Sequence, residues 1–96
     1  MKKIQTTHQS YHPSDTKKVT ITFDTPRFTV IRESDKKIMY RDNTRLPSGD
    51  DESGDTVKIG DFSYLNEIGL YYIKATDKDG NTEESDPFVI ALEPSK

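Results

Sequence analysis

The chain has 96 residues, of which 32% are charged, with a formal net charge of −3 and no cysteine. Its length fits one domain, the missing cysteines exclude a disulfide framework, and the lysine pairs are scattered rather than gathered into the basic face that nucleic acid binding needs. No apolar run approaches the roughly 20 residues of a membrane helix. We therefore expect a single domain over residues 1–96, with its core between about residues 4 and 92, that is monomeric in isolation and binds neither nucleic acid nor a membrane.

Short runs of alternating apolar and polar residues follow one another along the chain, and no longer window shows the 3.6-residue period of a helix. Turn signals such as Thr25-Pro26 separate these runs, and the polar residues 43–55 predict a loop. The predicted strands cover residues 19–23, 28–30, 38–40 (at a sheet edge), 57–59, 71–75 and 88–92. About seven short strands in all are typical of an all-β, immunoglobulin-like antiparallel β-sandwich.

Every second residue of each predicted strand is expected in the core, because alternate side chains of a strand point to opposite faces of the sheet. Fully burying one large apolar side chain contributes about 1.5–3 kcal/mol, and few such side chains are available in so charged a chain. The predicted inward set is Val19, Ile21, Phe23, Phe28, Val30, Val57, Ile59, Phe62, Leu65, Tyr71, Ile73, Phe88 and Ile90.

The spacing Leu65-x-x-x-Gly69-x-Tyr71 is the one that the tyrosine corner of an immunoglobulin-like sandwich requires. In that motif the tyrosine ring is buried while its hydroxyl holds the backbone a few residues upstream. We therefore expect structural roles for Leu65, Gly69 and Tyr71, and for Phe88 on the last predicted strand.

Two acidic segments have the composition of calcium loops. In Asp77-x-Asp79-Gly80-Asn81 the glycine is fourth instead of sixth, and Phe88 stands at the twelfth position, where an EF-hand has Glu. Asp-Gly and Gly-Asn instead favour a hairpin turn between the last two predicted strands. The other segment has no fixed ligand spacing, so a solvated loop is favoured for its acidic residues Asp50, Asp51, Glu52 and Asp55.

His8 and His12 have the i, i+4 spacing that would aim two imidazoles at one zinc ion on a helix. They precede Pro13 in a segment of strand and turn character, where that spacing separates them by roughly 13 Å. No Ser/His/Asp arrangement and no Gly-rich phosphate loop is recognisable, and the carboxylates stand on turns and strand exteriors. We predict no metal, no cofactor and no catalytic residue in this chain.

Asp61 has two compatible interpretations. Its carboxylate can cap a short turn by accepting a hydrogen bond from the backbone N–H of Ser63 or Tyr64, or it can face a neighbouring module. Four other aromatic residues could form a row that stacks on sugar rings, but their separations in the sequence do not place them on one strand face. Partial burial at strand ends and under loops is favoured for Tyr11, Tyr40, Tyr64 and Tyr72.

The chain resembles the immunoglobulin-like domain that precedes the catalytic module in many family 9 glycoside hydrolases, the cellulase N-terminal domain. The resemblance extends from about Ile4 to Leu92. It is carried by Tyr11 and Pro13, by Ser53-Gly54-Asp55 with Val57, by Asp61-Phe62-Ser63, by Gly69-x-Tyr71-Tyr72 and by Ser85-Asp86-Pro87-Phe88-Val89-Ile90. The departures are Thr7, His8 and Ser10, where the family has Asn, Gln and Gly.

The resemblance implies a non-catalytic accessory domain that packs against an (α/α)6 barrel in cis, in a secreted or cell-surface bacterial endoglucanase whose catalytic carboxylates lie in the barrel. Tyr11, Asp61 and Ser63 are the residues expected at the interdomain interface. The residues after Met1-Lys2-Lys3 form no apolar signal core, so we expect no secretory signal in this chain, as in a fragment. Two rival functions are an independent glycan- or protein-binding module and a spacer in a larger surface protein.

Overall fold

Two β-sheets packed face to face make up the part of the protein that the computed structural model describes, residues 3–45 and 57–92. The smaller sheet contains β1 (Ile4–Thr6), β3 (Lys18–Ile21) and β6 (Lys58–Asp61). The larger sheet contains β2 (Ser10–Tyr11), β4 (Arg27–Arg32), β5 (Ile38–Asn43), β7 (Gly69–Thr76), β8 (Thr82–Glu84) and β9 (Phe88–Ile90). Within these ranges no helix is long and apolar enough to span a bilayer. The predicted all-β sandwich is confirmed.

The strand order is β1-β3-β6 in the smaller sheet and β2-β9-β7-β4-β5 in the larger one, where β8 also pairs with β7. The pairs are antiparallel except that β2 runs parallel to β9, with Ser10 opposite Val89 and Tyr11 opposite Ile90. The chain therefore leaves the smaller sheet after Thr6 and enters the larger one at Ser10. This switch gives the sandwich a mixed sheet, whereas the sequence predicted an antiparallel one.

The strand bounds differ from the predicted ones in two places. The predicted edge strand at residues 38–40 does lie at an edge of the larger sheet, but it continues to Asn43. The turn at residues 77–81 does form a hairpin, but it joins β7 to β8, and β9 follows as a separate strand that pairs with the beginning of β7. The short strand β8 has the sequence Thr-Glu-Glu. It contains no apolar residue, so alternation of apolar and polar residues could not predict it.

The core lies between the two sheets and contains most of the predicted inward residues. Three of them are only half-buried: Phe23, which lies beyond the end of β3 and packs against the core, Val57, which directly precedes β6, and Ile59 within β6. Residues that the prediction left out are buried as well, namely Ile4, Tyr11, Ile31, Tyr72 and Ala75. Ile4 is opposite Ile21 in the antiparallel pair of β1 and β3, which explains its burial. A strand of three residues is too short for its alternation to predict this pairing.

Gly60 in β6 allows the sheets to approach closely. It pairs with Val19, and a Cβ atom at this position would lie 2.7 Å from the ring of Phe28 and 2.8 Å from a methyl group of Val19. Both distances are shorter than a van der Waals contact, so the ring of Phe28 on the opposing sheet occupies the space that any other residue would need.

Candidate interdomain surface

The tyrosine corner stands at the beginning of β7. The Tyr71 side chain is fully buried, and its hydroxyl donates a hydrogen bond of 2.7 Å to the backbone carbonyl of Glu67. A Cβ atom on Gly69 would lie 3.2 Å from that hydroxyl, so a side chain there would crowd the bond. Burial, followed by the nearby charge of Glu67, raises the pKa of Tyr71 above its ordinary value, so the hydroxyl remains a donor to a higher pH than that of an exposed tyrosine. This is the geometry that the Leu65-x-x-x-Gly69-x-Tyr71 spacing predicts, and Leu65 is buried beside it.

Four aromatic rings pack together under this corner. Phe88 is central to the group, with ring centroids 5.2 Å from Phe62, 5.6 Å from Tyr11 and 5.9 Å from Tyr71. Edge-to-face and tilted pairs at these distances stabilise a core beyond the area they bury. Tyr71 and Phe88 are also direct neighbours in the pairing of β7 with β9, so the ring cluster joins the corner to the last strand.

Tyr11 is the main correction among the predicted site residues. It was expected at the margin of the core and at an interface, but its side chain is fully buried. Its hydroxyl accepts a hydrogen bond of 3.1 Å from the backbone N–H of His8 and lies 2.8 Å from the hydroxyl of Thr7. The polar end of the ring is therefore satisfied inside the domain, and its side chain is not available to a neighbouring module.

The other three tyrosines differ from one another in exposure. Tyr40 is half-buried, and its hydroxyl donates to the Asp42 carboxylate at 3.2 Å. Tyr72 is 9% exposed and lies under the ammonium group of Lys36, which is 5.2 Å from the ring centroid. Tyr64 is 86% exposed. Partial burial is therefore correct for Tyr40 and wrong for Tyr64.

Asp61 and Ser63 hold the turn that follows β6. The Asp61 carboxylate accepts a hydrogen bond of 2.9 Å from the backbone N–H of Ser63, which confirms the predicted cap. The Ser63 hydroxyl accepts a bond of 2.9 Å from the backbone N–H of Lys17, which joins the turn to the segment before β3. Burial opposes ionisation of Asp61, but the hydrogen bonds from Ser63 and the nearby charges of Lys18 and Arg45 together lower the pKa of that carboxyl.

Lys17 is buried at the same end of the sandwich, and sequence reasoning did not identify it. Its residue surface is fully buried, and its ammonium group donates to the backbone carbonyls of Pro13 at 2.7 Å and Asp15 at 3.0 Å. Burial lowers the pKa of Lys17 against the opposing charges of Asp15 and Asp61. One sequence signal exists: Lys17 stands two residues before the inward-facing Val19, so strand alternation extended backwards places it on the inner face.

The Asp77–Asn81 turn, which was considered as a calcium loop, forms hydrogen bonds within itself. The Asp77 carboxylate accepts 2.9 Å hydrogen bonds from the backbone N–H groups of Asp79 and Asn81, and Gly80 has a φ of 91°. The bond from Asn81, with burial opposing it, lowers the pKa of Asp77. Within residues 3–45 and 57–92, no group of three His, Asp or Glu side chains is able to hold a metal ion. The acidic segment Asp50, Asp51, Glu52 and Asp55 lies outside the described residues.

His8 and His12 also take separate local contacts. The His8 ring lies edge-on to Tyr11 with centroids 5.6 Å apart. The Nδ1 atom of His12 lies 2.8 Å from the hydroxyl of Ser14. The two imidazoles thus make separate contacts, one before β2 and one after it, within the segment between β1 and β3.

The outer surface at the beginning of β7 is apolar. Because the space beyond Gly69 points inward to Tyr71, its neighbours Ile68 and Leu70 face outward, and they are 53% and 45% exposed. Leu70 is opposite the half-buried Val89 of β9. Leu92, two residues beyond the end of β9, is 61% exposed. The same sheet carries an open groove of about 420 Å³ farther along its outer face.

A family model described as the cellulase N-terminal immunoglobulin-like domain matches residues 2–80. Among solved structures, a metagenome-derived glycoside hydrolase family 9 endoglucanase is 24% identical with a TM-score of 0.69, over 92% of this chain and 18% of its own. A mutant thermostable endoglucanase from Alicyclobacillus acidocaldarius is 21% identical with a TM-score of 0.70, over 95% and 15%. A GH9 protein from Bacteroides ovatus is 18% identical with a TM-score of 0.69, over 92% and 15%. No individually curated protein matches the chain.

Proposed function

The chain belongs to the family of cellulase N-terminal immunoglobulin-like domains, and from this membership we propose that it is a non-catalytic accessory domain. In this proposal it packs against the catalytic module of a family 9 glycoside hydrolase in the same chain, an (α/α)6 barrel with endoglucanase activity, and stabilises that module. The parent protein is then secreted or displayed on a bacterial cell surface.

One observation carries the proposal. The fold covers 92% and 95% of this chain in two endoglucanases, yet it accounts for only 18% and 15% of their lengths. The chain thus corresponds to a small part of two proteins that are endoglucanases. A role in support of a larger module is the simplest function for such a part.

The chemistry of the described residues supports a structural role. Asp61, Ser63 and Lys17 direct their polar atoms to backbone groups of the domain itself, and the Tyr71 hydroxyl does the same. These bonds hold the turns at one end of the sandwich in fixed positions. A rigid end presents a surface whose ordering cost on docking is small, which favours a stable contact with a neighbour.

Stabilisation by such a contact follows from mass action. A module that is held against its neighbour must break that contact before it unfolds, so docking raises its free energy of unfolding. Because the two modules share one chain, the contact is intramolecular and needs only an interface of roughly 600–1,500 Å². Of the predicted interface residues, Asp61 and Ser63 remain candidates for its polar rim.

The experiment is to compare the melting temperature of the catalytic module with and without this domain in the same chain. We expect the module to melt at a lower temperature once the domain is removed, with the active site unaltered at low temperature. Equal melting temperatures, measured by calorimetry at the same protein concentration, would remove the accessory role and leave the fold as it is.

The rival function, an independent binding module, has one feature in its favour. The open groove on the outer face of the larger sheet is lined in part by Arg27, Arg41 and Lys74, with Ile31 and Ile38 beside them. Incubation with insoluble cellulose and with soluble β-glucans tests this function directly. Depletion of the domain from the supernatant at micromolar affinity would favour the binding module over the accessory role.

A further inference from the structure

The outward-facing apolar residues at the junction of β7 and β9 form a distinct surface, which we name the β7–β9 patch. It consists of Ile68 and Leu70, with Val89 opposite Leu70 in the pairing of β7 with β9. Two of the five large hydrophobic side chains that are substantially exposed in the described ranges belong to it, the other three being Ile38, Tyr64 and Leu92. Single exposed apolar residues are normal on protein surfaces, whereas a group of them marks a contact site.

The local structure keeps these side chains outside. Gly69 and Tyr71 must point inward for the tyrosine corner to form, and strand alternation then obliges Ile68 and Leu70 to point outward. The backbone carbonyl of Leu70 accepts a hydrogen bond of 2.8 Å from Glu33, so the strand is held on that side and cannot turn its side chains inward. The exposure is therefore built into the fold.

Charged groups border the patch. The Lys36 ammonium group lies 5.2 Å from the ring centroid of Tyr72, which is two residues beyond Leu70 on the same strand face. It also lies 3.0 Å from the carboxylate of Glu33, whose backbone N–H bonds to the Leu70 carbonyl. An apolar centre beside a charged, solvent-exposed margin is the usual arrangement of a protein–protein contact. The charged margin is also a reason to expect a protein surface, rather than a lipid or a flat polysaccharide, as the occupant.

We propose that the β7–β9 patch is the surface on which the catalytic module of the same chain packs. This inference rests on the proposed accessory function and adds the face that carries it. The β9 strand is the last described strand, and it ends beside the patch because Ile90 pairs with Gly69, the residue between Ile68 and Leu70. In a domain that stands N-terminal to its catalytic module, the chain therefore passes along the patch on its way to the module, which gives this face a high effective concentration for the contact.

The other exposed apolar residues fit the contact less well. Ile38 begins β5 at the opposite edge of the larger sheet, three strands from β9. Tyr64 lies in the turn whose neighbouring polar groups bond to Lys17 and to each other. Ile38 has no second exposed aliphatic residue in β5, and Tyr64 lies outside the strands.

The chain offers an internal control for a test on the unmodified full-length protein. Ile68 and Ile38 are the same residue type and are 53% and 54% exposed in the domain. Hydroxyl-radical footprinting of the full-length protein, catalytic module included, should oxidise Ile68 and Leu70 several-fold less than their domain exposure predicts, and Ile38 in proportion to it. Equal oxidation of Ile68 and Ile38 overturns the inference.

A pair of substitutions provides the second test, again in the full-length protein. Ile68→Thr with Leu70→Thr keeps strand-forming residues and removes most of the apolar contact, while Ile38→Thr is the matched control. We expect the double variant to lose at least half of the melting-temperature gain that the domain gives the catalytic module, and the control to lose none. The domain's own transition in the same scan reports whether the domain still folds.

The outcomes separate the two proposals. If removing the whole domain lowers the melting temperature of the module but the double variant does not, the accessory role stands and the docking face lies elsewhere. If removing the domain changes nothing, the accessory role fails and this inference with it. Protection of Ile68 that disappears on hundredfold dilution would assign the patch to a second copy of the chain and also overturn the inference.

Discussion

Replacing Tyr71 by Phe isolates the contribution of the tyrosine-corner hydroxyl. The ring remains, so the aromatic cluster with Phe88 is retained, and the change removes one hydrogen bond of 2.7 Å to the Glu67 carbonyl. A buried acceptor left without a partner would cost about 1–3 kcal/mol. Glu67 is exposed, however, so its carbonyl can regain water and only the net bond, about 0.5–1.5 kcal/mol, is lost.

Such a loss is measurable in a domain of this size. A change of about 1 kcal/mol shifts the melting temperature of a 60–100-residue domain by about 4–8 °C, so we expect Tyr71→Phe to lower it by about 2–12 °C. Tyr40→Phe is the matched control, because it removes a hydroxyl whose 3.2 Å bond goes to a carboxylate on the same edge strand. Its cost should stay within about 0.5 kcal/mol.

The same variant has a signature at high pH. Burial raises the pKa of Tyr71 above 10.0, so above pH 10 the folded state keeps a proton that the unfolded state releases. The stability of the unmodified domain should therefore fall as the pH rises above 10, and Tyr71→Phe should lack this component. Circular dichroism melts at pH 7 and pH 10.5 measure both effects. Equal destabilisation by Tyr71→Phe and Tyr40→Phe would refute the tyrosine corner as a source of stability.

Two further predictions concern other parts of the sandwich. Gly60→Ala should destabilise the domain by about 1–3 kcal/mol, because its Cβ would meet the Phe28 ring at 2.7 Å; an unchanged denaturant midpoint would show that the ring moves aside freely. The hydrogen bond from Arg32 holds the pKa of Asp35 at about 2, so the stabilising ion pair should be present above about pH 4 and lost as the pH falls to 2. Asp35→Asn should flatten the melting temperature over that interval, and parallel curves for the variant and the parent would contradict the assignment.

The interior of this domain contains two side chains with polar ends, Tyr11 and Lys17, that the predicted inward set left out. Tyr11 and Lys17 stand in the segment before β3, where the sequence reads as turns and solvated charges. Both are fully buried, because the chain crosses there from the smaller sheet to the larger one and encloses them. Their polar atoms find backbone partners in the same segment, which offsets the cost of removing them from water.

The predicted interface residues differ in whether their placement depends on nearby residues in the sequence or on strand pairing. The local part of the Asp61 prediction, a cap over Ser63, depends on residues two positions apart and is confirmed. The placement of Tyr11 depends on which sheet its strand joins, and the parallel pairing with β9 places its ring among Phe62 and Phe88. The β7–β9 patch was not predicted either, because the sequence leaves Ile68 and Leu70 out of the inward set but does not show that they stay uncovered.

The sequence by itself determined the class of the fold, the strand character of β3, β4 and β7, the hairpin turn at residues 77–81 and the tyrosine corner at Tyr71. Each depends on alternation, on a residue needed at a turn, or on a spacing of a few positions, and such information is local. Only the tertiary structure decided that β2 joins β9 in parallel, that Tyr11 is fully buried and that no other described part of the domain covers Ile68 and Leu70. Those outcomes depend on pairings between residues far apart in the chain, and a residue's own neighbours in sequence do not specify which surface will cover it.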